Sequence, residues 1–151
     1  RALALLDACN TADIEADNSE TIECQIWERF VVLIGLSGTT SAIRKSIGPI
    51  RENPQTRGFL LNVMEEVVVV ARAKGVPLRA DFARDRLSFL DSLPPNTTSS
   101  MHHDLERGNR LELPWLSGGV AELGARVGVP TPLNRAIADI LALYVDPGTP
   151  G

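Results

Sequence analysis

Two short stretches of this sequence combine polar residues with apolar neighbours in a way that could form a binding or catalytic site. The first is residues 27–30, Trp-Glu-Arg-Phe, and the second is residues 99–101, Ser-Ser-Met, followed twelve residues after Ser100 by Glu112. By residue type alone, Arg29 is typical of a surface residue with a packed stem, Ser100 of a polar residue in a first helical turn, and Glu112 of an acid at a helix N-terminus. Purely structural roles therefore stay open for all three.

Three other patterns predict no site. His102 and His103, followed by Asp104, are adjacent in sequence, and neighbouring helical residues point about 100° apart, which does not suit joint metal ligation. Gly35 and Gly38 do not follow a strand, as the glycines of a phosphate-binding turn do. The serines have no histidine and acid placed as a triad. We therefore expect no metal site, no nucleotide site and no serine hydrolase chemistry in this chain.

The composition is that of one globular domain. The chain has 151 residues, 44% hydrophobic and 23% charged, with 15 Lys and Arg against 19 Asp and Glu. The basic residues do not cluster, so we expect no nucleic-acid partner. The longest apolar runs, at 30–36 and 67–71, are far shorter than the ~20 residues of a membrane span. With only two cysteines, both expected to be reduced, we expect a soluble, cytoplasmic protein.

Helical periodicity positions the first polar stretch. From Ser19, the expected N-cap, the apolar residues at 22, 26, 30 and 33 form one face of an amphipathic helix that carries Arg29. Gly35 and Gly38 are expected to loosen or end this helix. Before it, the pattern predicts a short helix at 1–9 and a strand at 12–17 for which the rest of the chain offers no partner.

A long second helix is the clearest element of the pattern. After a turn at 47–49, Asn53 is the expected cap, Pro54 opens the helix, and Gly75 ends it. Residues 67–70 have strand propensity, but the helical period and both end signals favour a helix. The predicted inner stripe consists of Leu60, Val63, Met64, Val67 and Val70.

Further helices are predicted to the end of the chain. One covers 81–93, and a shorter one follows Asn96, carries Ser100 and ends at Gly108. Another presents its apolar face from 113 to 127, and the last runs from a cap at Thr131 to residue 144. Apart from the strand at 12–17, the pattern predicts an all-α protein.

The order and spacing of these segments resemble the C-terminal domain of ketopantoate reductase (2-dehydropantoate 2-reductase). The matching stretches are 26–51, 60–78, 99–119 and 128–137. Residues 99–119, SSMHHDLERGNRLELPWLSGG, are the most specific, with Ser-Ser-Met, an acid three residues after the methionine, and Glu112 before an apolar helix.

The resemblance implies a helical bundle of the 6-phosphogluconate dehydrogenase C-terminal type for residues 19–146. Residues 1–18 would be the last helix and strand of a Rossmann cofactor domain, and 147–151 a flexible tail. Because the chain opens on Arg1 within such a remnant, we expect it to be a fragment. The whole enzyme would use NADPH to reduce a 2-keto acid such as 2-dehydropantoate to pantoate, in pantothenate biosynthesis, as a homodimer. This half would be inactive without the missing domain.

The resemblance also implies roles for individual residues. The family's catalytic lysine falls on Arg29, where it would hydrogen-bond the reacting carbonyl. Its substrate-binding serine falls on Ser100 and its essential glutamate on Glu112, and these two would hold the substrate carboxylate and hydroxyl. A cation stabilises a forming alkoxide, and a helix N-terminus next to a serine favours a carboxylate.

The sequence departs from the family pattern at several site positions. An arginine stays protonated in proteins, so Arg29 can supply charge but is a poor proton donor. Leu33, Ser37 and Thr97 stand where family members often carry asparagine. Ser37 and Thr97 complete the predicted substrate site, which is less polar than usual and suits a different 2-keto acid or a weak activity.

A second interpretation stays open beside the enzyme. The chain could be a non-enzymatic helical module that self-associates through its glycine-lined helices, with Arg29, Ser100 and Glu112 serving only the structure. The two interpretations differ in geometry. Convergence of these three residues on one open cleft favours the enzyme, and their separation onto different faces favours the module.

Overall fold

The computed structural model describes residues 16–146, with side chains from residue 21 onward. These residues form α-helices and two short 3₁₀-helices, and no strand occurs among them. The all-α class is therefore confirmed for this part of the chain. In chain order the helices are α1 (Ala16–Ile43), α2 (Ile47–Glu52), α3 (Pro54–Ala73), α4 (Phe82–Asp91), α5 (Ser100–Arg107), α6 (Ser117–Val127) and α7 (Pro132–Ile140), with 3₁₀-helices at Leu113–Trp115 and Ala142–Tyr144.

The predicted boundaries at both ends of the chain lie largely outside the described residues. This holds for the helix at 1–9, the tail at 147–151 and most of the strand at 12–17. The last two residues of that predicted strand, Ala16 and Asp17, open α1 instead. Ser19 therefore lies inside the helix, and its prediction as the N-cap is wrong.

The core forms where α1 and α3 pack against each other along their apolar faces. All members of the stripe predicted on α3 are buried, and α1 contributes Trp27, Val31 and Ile34. Around this pair, α2 and α4 pack on α3, α5 packs on α1, and α6 and α7 pack on each other and on α3. None of the helices within 16–146 is long and apolar enough to span a lipid bilayer.

Helix α1 runs unbroken through Gly35 and Gly38, so the prediction that these glycines loosen or end it is wrong. A Cβ atom at Gly35 would overlap the side chain of Met64 on α3, and one at Gly38 would lie 3.0 Å from the Ser117 hydroxyl of α6. The glycines therefore serve close helix packing. This packing offsets their intrinsic cost of about 1 kcal/mol each relative to alanine.

The predicted turn at 47–49 is a short helix, α2, because it is held by a distant loop. The backbone N–H of Ile47 donates to the Thr97 carbonyl at 2.8 Å, and that of Gly48 donates to the Pro95 carbonyl at 2.8 Å. A Cβ atom at Gly48 would lie 2.8 Å from the same Pro95 oxygen. A local sequence pattern carries no sign of these long-range bonds.

Both predicted ends of α3 are confirmed. The Asn53 side chain accepts hydrogen bonds from the backbone N–H groups of Gln55 and Thr56 at 2.8 and 3.3 Å, and Pro54 is the first helical residue. Gly75, just beyond the helix, has φ +93°, a left-handed conformation that glycine adopts readily.

The later helices differ from their predicted bounds. The helix predicted after Asn96 begins only at Ser100, where the Ser99 side chain caps it, and it ends as predicted at Gly108. The helix expected from 113 to 127 is divided into a 3₁₀-turn and α6. The last helix ends at Ile140, and a second 3₁₀-turn follows it.

The N-terminus of α7 is capped by a residue of α3. Thr131 occupies the N-cap position as predicted, but its side chain makes no capping hydrogen bond. The Glu66 carboxylate accepts from the backbone N–H of Leu133 at 2.8 Å, from that of Asn134 at 3.0 Å and from the Asn134 side-chain amide at 2.8 Å. A carboxylate is favourable at this end of a helix because the free N–H groups there are partly positive.

A two-pronged ion pair joins α3 to α4. Arg57 donates to the two carboxylate oxygens of Asp91 at 2.7 and 2.9 Å. The hydrogen bond from Arg57, aided by its charge, lowers the pKa of Asp91 from its usual value. The side chains are 35% and 45% exposed, so the pair stabilises the fold by less than about 1 kcal/mol.

This ion pair predicts a small pH dependence of stability. Because the Asp91 pKa is lower in the folded protein, its contribution is fully present above the unfolded value near 3.8 and is lost as pH falls through the folded value. We expect Asp91→Asn to lower the urea midpoint slightly at neutral pH, with the difference vanishing in strong acid. A difference that grows on acidification would contradict this.

Candidate functional site

Arg29 lies on an open face of α1. Its neighbours Trp27 and Phe30 pack edge to face with ring centroids 5.4 Å apart, and Trp27 is buried in the core, so this turn is firmly placed. The Arg29 side chain is exposed, and within the part of the chain that the structure describes it forms no hydrogen bond or ion pair. Its guanidinium donors are therefore available to a ligand.

A groove of about 640 Å³ lies beside Arg29, between α1 and α4. Its size falls within the range of roughly 300–1,000 Å³ that is usual for small-molecule sites. We call it the α1–α4 groove. Its charged lining residues are Glu28, Arg29 and Arg86, and its apolar ones are Val32, Leu33, Leu36, Phe82 and Phe89.

The wall of the groove on α4 was not identified by the sequence analysis. The Arg86 guanidinium lies over the rings of Phe82 and Phe89, at 5.5 and 5.7 Å from their centroids. Its Nε is buried and has no hydrogen-bond partner within 16–146, while another nitrogen donates to Asp85 at 3.2 Å. The signal in the sequence was the i, i+4, i+7 spacing of these three groove residues, which places them on one helical face.

The N-terminus of α5 is fixed to the C-terminal part of α1. The Thr40 hydroxyl donates to the Leu36 carbonyl at 2.7 Å and lies 2.8 Å from the Ser99 hydroxyl, which therefore donates to it. The Ser99 oxygen in turn accepts from the backbone N–H of His102 at 3.1 Å. The His102 ring adds a contact from Nδ1 to the Thr40 carbonyl at 2.9 Å. This network sets the position of Ser100, the next residue after the cap.

Arg29 and the start of α5 lie on the same face of α1. Thr40, which holds α5, follows Arg29 by eleven residues, and a regular helix then returns to within about 20° of the same direction, roughly 16 Å farther along. Arg29 and Thr40 therefore extend from α1 in similar directions, although no residue of α5 lines the groove. Leu33 and Leu36 lie between them on this face.

The other predicted substrate residues lie near this contact between α1 and α5. Ser100 is exposed as the first residue of α5. Ser37, one turn before Thr40, is only 1% exposed, and its hydroxyl has no partner within the described residues. Thr97 is half-buried in the preceding loop, where its carbonyl holds α2. None of the three lines the α1–α4 groove itself.

Glu112 lies in the segment that connects α5 to α6. Its carbonyl accepts from the backbone N–H groups of Trp115 and Leu116 at 2.9 and 3.2 Å, while its side chain is exposed. This segment leads to Ser117, which meets α1 at Gly38. No hydrogen bond or ion pair within 16–146 joins the Glu112 carboxylate to Arg29 or Ser100, so its place in a common cleft stays a prediction.

The side chains of the adjacent histidines, His102 and His103, make contacts that hold α5 in place. His102 is buried, with Nε2 3.1 Å from the Glu106 carboxylate, and the Nε2 of His103 lies 3.0 Å from the Thr98 hydroxyl. Within the described part of the chain, no three His, Cys, Asp or Glu side chains are grouped as metal ligands. Both rings thus have local contacts that account for their orientation.

The family model described as ketopantoate reductase PanE/ApbA C terminal matches residues 21–145. The chain belongs to this family. The match covers the described helices almost completely, including both walls of the α1–α4 groove and the α1–α5 contact. The family resemblance inferred from the sequence is therefore confirmed.

Individual relatives agree with this assignment. An uncharacterized oxidoreductase of Bacillus subtilis, YkpB, is 29% identical over 146 residues, which cover 95% of this chain and 48% of that protein. The 2-dehydropantoate 2-reductase of Halobacterium salinarum is 27% identical over 143 residues, covering 95% and 47%. The chain thus spans about half the length of these relatives.

A solved structure shows the same fold. The dimeric ketopantoate reductase of Staphylococcus aureus superposes with a TM-score of 0.76 at 22% identity, covering 82% of this chain and 43% of that one. At this identity the likeness concerns the fold alone. The helical bundle of the ketopantoate reductase C-terminal domain, predicted from the sequence, is confirmed.

Proposed function

We propose that this chain is the substrate-binding half of an enzyme that uses NADPH to reduce a 2-keto acid, such as 2-dehydropantoate, to the 2-hydroxy acid. The observation that carries the proposal is Arg29, which has no partner within 16–146 and lies beside a groove of ligand size, on the same face of α1 as the N-terminus of α5. Membership of the ketopantoate reductase family supports the reaction class.

The chain's own residues would bind the acid and stabilise the charge that reduction creates. Arg29 would donate hydrogen bonds to the keto oxygen, which becomes negative as the carbon is reduced. Ser100, with the N-terminus of α5 behind it, would hold the substrate carboxylate. Ser37 and Thr97 would complete this end of the site. Glu112 would hold the substrate hydroxyl.

Proton delivery separates this site from that of a lysine-bearing relative. A guanidinium stays protonated, so Arg29 would act through charge and hydrogen bonds. The proton that the forming alkoxide needs would then come from another group or from water. Charge stabilisation alone supports reduction, although more slowly than stabilisation combined with proton transfer.

The cofactor would be held outside this chain. Nicotinamide dinucleotides bind where a strand, a glycine-rich turn and a helix meet, and residues 16–146 contain no strand. The described residues therefore do not fit the cofactor's pyrophosphate. NADPH would belong to a Rossmann half, consistent with relatives about twice as long as this chain. We assign no hydride-transfer step to the residues of this chain.

Membership of the ketopantoate reductase family also supports a proposal for the pathway, the cellular location and the oligomeric state. A 2-dehydropantoate reductase would act in pantothenate biosynthesis in the cytoplasm. The Staphylococcus aureus protein is named as dimeric, and we propose a homodimer here as well. Sedimentation of the full-length protein measures this directly.

The proposed activity predicts 2-keto-acid-dependent oxidation of NADPH by the full-length protein. NADPH absorbance should fall on addition of a 2-keto acid, with a rate that saturates, and the product should be the 2-hydroxy acid. If the folded protein binds NADPH but reduces no 2-keto acid, the proposal fails. If the folded protein binds neither NADPH nor a 2-keto acid, the helical self-association module is the better interpretation.

A further inference from the structure

We propose that the α1–α4 groove selects 2-keto acids whose substituent is bulky and apolar, and that Leu33 and Phe89 are the residues that determine this specificity. The inference rests on the proposed function and names the substrate class for the same site. It follows from the lining of the groove, from its charge and from the position of Leu33 next to Arg29 on α1.

The lining of the groove is mostly apolar, although the groove is open to solvent. Leu33 is 45% exposed and Phe89 is 43% exposed, on opposite walls. Covering such surface with an apolar group is favourable because it releases water from both partners. Since Arg86 lies over the rings of Phe82 and Phe89, that wall is also held in place.

The charge of the groove favours an acid as the occupant. Among the charged lining residues, Arg86 is paired with Asp85 at 3.2 Å, and Arg29 has no ion-pair partner within 16–146, so Arg29 is the positive charge that the groove offers to a ligand. This charge favours the approach of an anionic ligand and stabilises the negative charge that forms on its keto oxygen during reduction, whereas a neutral apolar molecule lacks the first of these advantages. The volume of about 640 Å³ holds a small acid together with a ring or a branched chain. A carboxylate joined to an apolar body therefore matches the groove in both respects.

Leu33 disfavours the binding of a substrate whose substituent carries a hydroxyl group. It lies one turn after Arg29 on the α1 wall of the groove, next to the place where a ligand bound to Arg29 would lie. A leucine side chain has no hydrogen-bonding group, so a ligand hydroxyl placed against it loses its water without gaining a partner. A ligand methyl or phenyl group at the same place has no such cost.

Steady-state kinetics of the full-length protein tests the proposal. We compare kcat/KM for phenylpyruvate, which has an aromatic substituent, with kcat/KM for 2-dehydropantoate, which carries a hydroxyl. We expect phenylpyruvate to be preferred about 10-fold or more, as one substrate group can discriminate in a matched pocket. Leu33→Asn should lower this preference about 10-fold, and Phe89→Ala should lower it in the same direction.

Leu143→Asn is the matched control. Leu143 is 72% exposed in the second 3₁₀-helix and does not line the groove, so the same chemical change there should leave the preference as it was. A preference for 2-dehydropantoate in the unchanged protein, or equal preferences in all variants, would overturn the inference while the reductase activity stands.

Calorimetry separates failure of the inference from failure of the proposed function. If no 2-keto acid is reduced, the proposed activity is wrong. Saturable phenylpyruvate binding that Leu33→Asn weakens about 10-fold would then still support the groove as a site for apolar acids. Absence of both turnover and phenylpyruvate binding overturns the groove as well.

Discussion

Replacing Arg29 by methionine in the full-length protein should lower kcat/KM for 2-keto acid reduction roughly 100-fold or more. Methionine keeps much of the apolar stem but removes the positive charge and the guanidinium donors that we propose to bind the keto oxygen. Loss of a single preorganised donor to a developing oxyanion costs about 100- to 1,000-fold in rate. Because Arg29 is exposed and unpaired within 16–146, the fold should be unaffected, and the far-ultraviolet circular dichroism spectrum should not change.

Arg84→Met is the control for this experiment. Arg84 lies on α4 and is 71% exposed, outside the groove lining, with only a loose ion pair to Glu65 at 3.9 Å. The same substitution there should leave kcat/KM within about twofold, because weak surface pairs contribute little. Equal losses at both positions would show that net charge, and not a contact to the reacting oxygen, explains the effect.

The lysine variant separates the two possible roles of position 29. Lysine can supply charge and also transfer a proton, so Arg29→Lys should raise the rate of NADPH oxidation with 2-dehydropantoate. An unchanged or lower rate would show that arginine is adapted to another 2-keto acid. In that case we expect the lysine variant to lose activity with phenylpyruvate.

Replacing Glu66 by alanine should destabilise the α7 end of the domain by about 3 kcal/mol. The change removes three hydrogen bonds to a carboxylate and leaves the N–H groups of Leu133 and Asn134 and the Asn134 amide without this acceptor. Bonds to charged groups contribute about 1.5–3 kcal/mol each, but Glu66 is only half-buried, so water replaces part of the lost acceptor and the net loss is well below their sum. Hydrogen exchange of the α7 amides should quicken roughly 100-fold.

Glu65→Ala provides the matched comparison for Glu66. It is the preceding residue on α3, and within 16–146 it pairs with the exposed Arg84, so the change should shift exchange in α7 by less than about threefold. The exchange rate of the α7 amides in Glu66→Gln should lie between the rates of the two alanine variants, because glutamine retains one acceptor oxygen. If Glu65→Ala and Glu66→Ala have the same effect, the carboxylate does not fasten α7.

The ends of α3 show what local sequence predicts well. Asn53 and Pro54 at one end and Gly75 at the other act within a few residues, so the sequence contains all the atoms involved. The apolar stripe of α3 was predicted for the same reason, since its spacing of three and four residues already defines a helical face. In each case the signal and the structure that it produces lie in the same short segment.

The N-terminus of α7 and the groove show where local sequence is insufficient. Thr131 was the expected cap, yet the carboxylate that caps α7 comes from Glu66, 67 residues away from Leu133. Arg86 and Phe89 were likewise unremarkable in sequence, because their significance depends on α4 lying beside α1. Gly35 gave a helix-breaking signal that packing against Met64 reversed.

The sequence alone therefore determined the helical class and both ends of α3, because periodicity and caps are local properties. The resemblance of its segments to a known family gave the family and pointed to Arg29, Ser100 and Glu112 as the candidate residues. The tertiary structure alone decided that Arg29 faces a groove walled by α4 and that Ser100 is fixed to α1 through Thr40 and Ser99. Such relations depend on how helices distant in sequence pack. The apolar character of the groove, and with it the substrate class that we infer, became visible only when those helices were placed side by side.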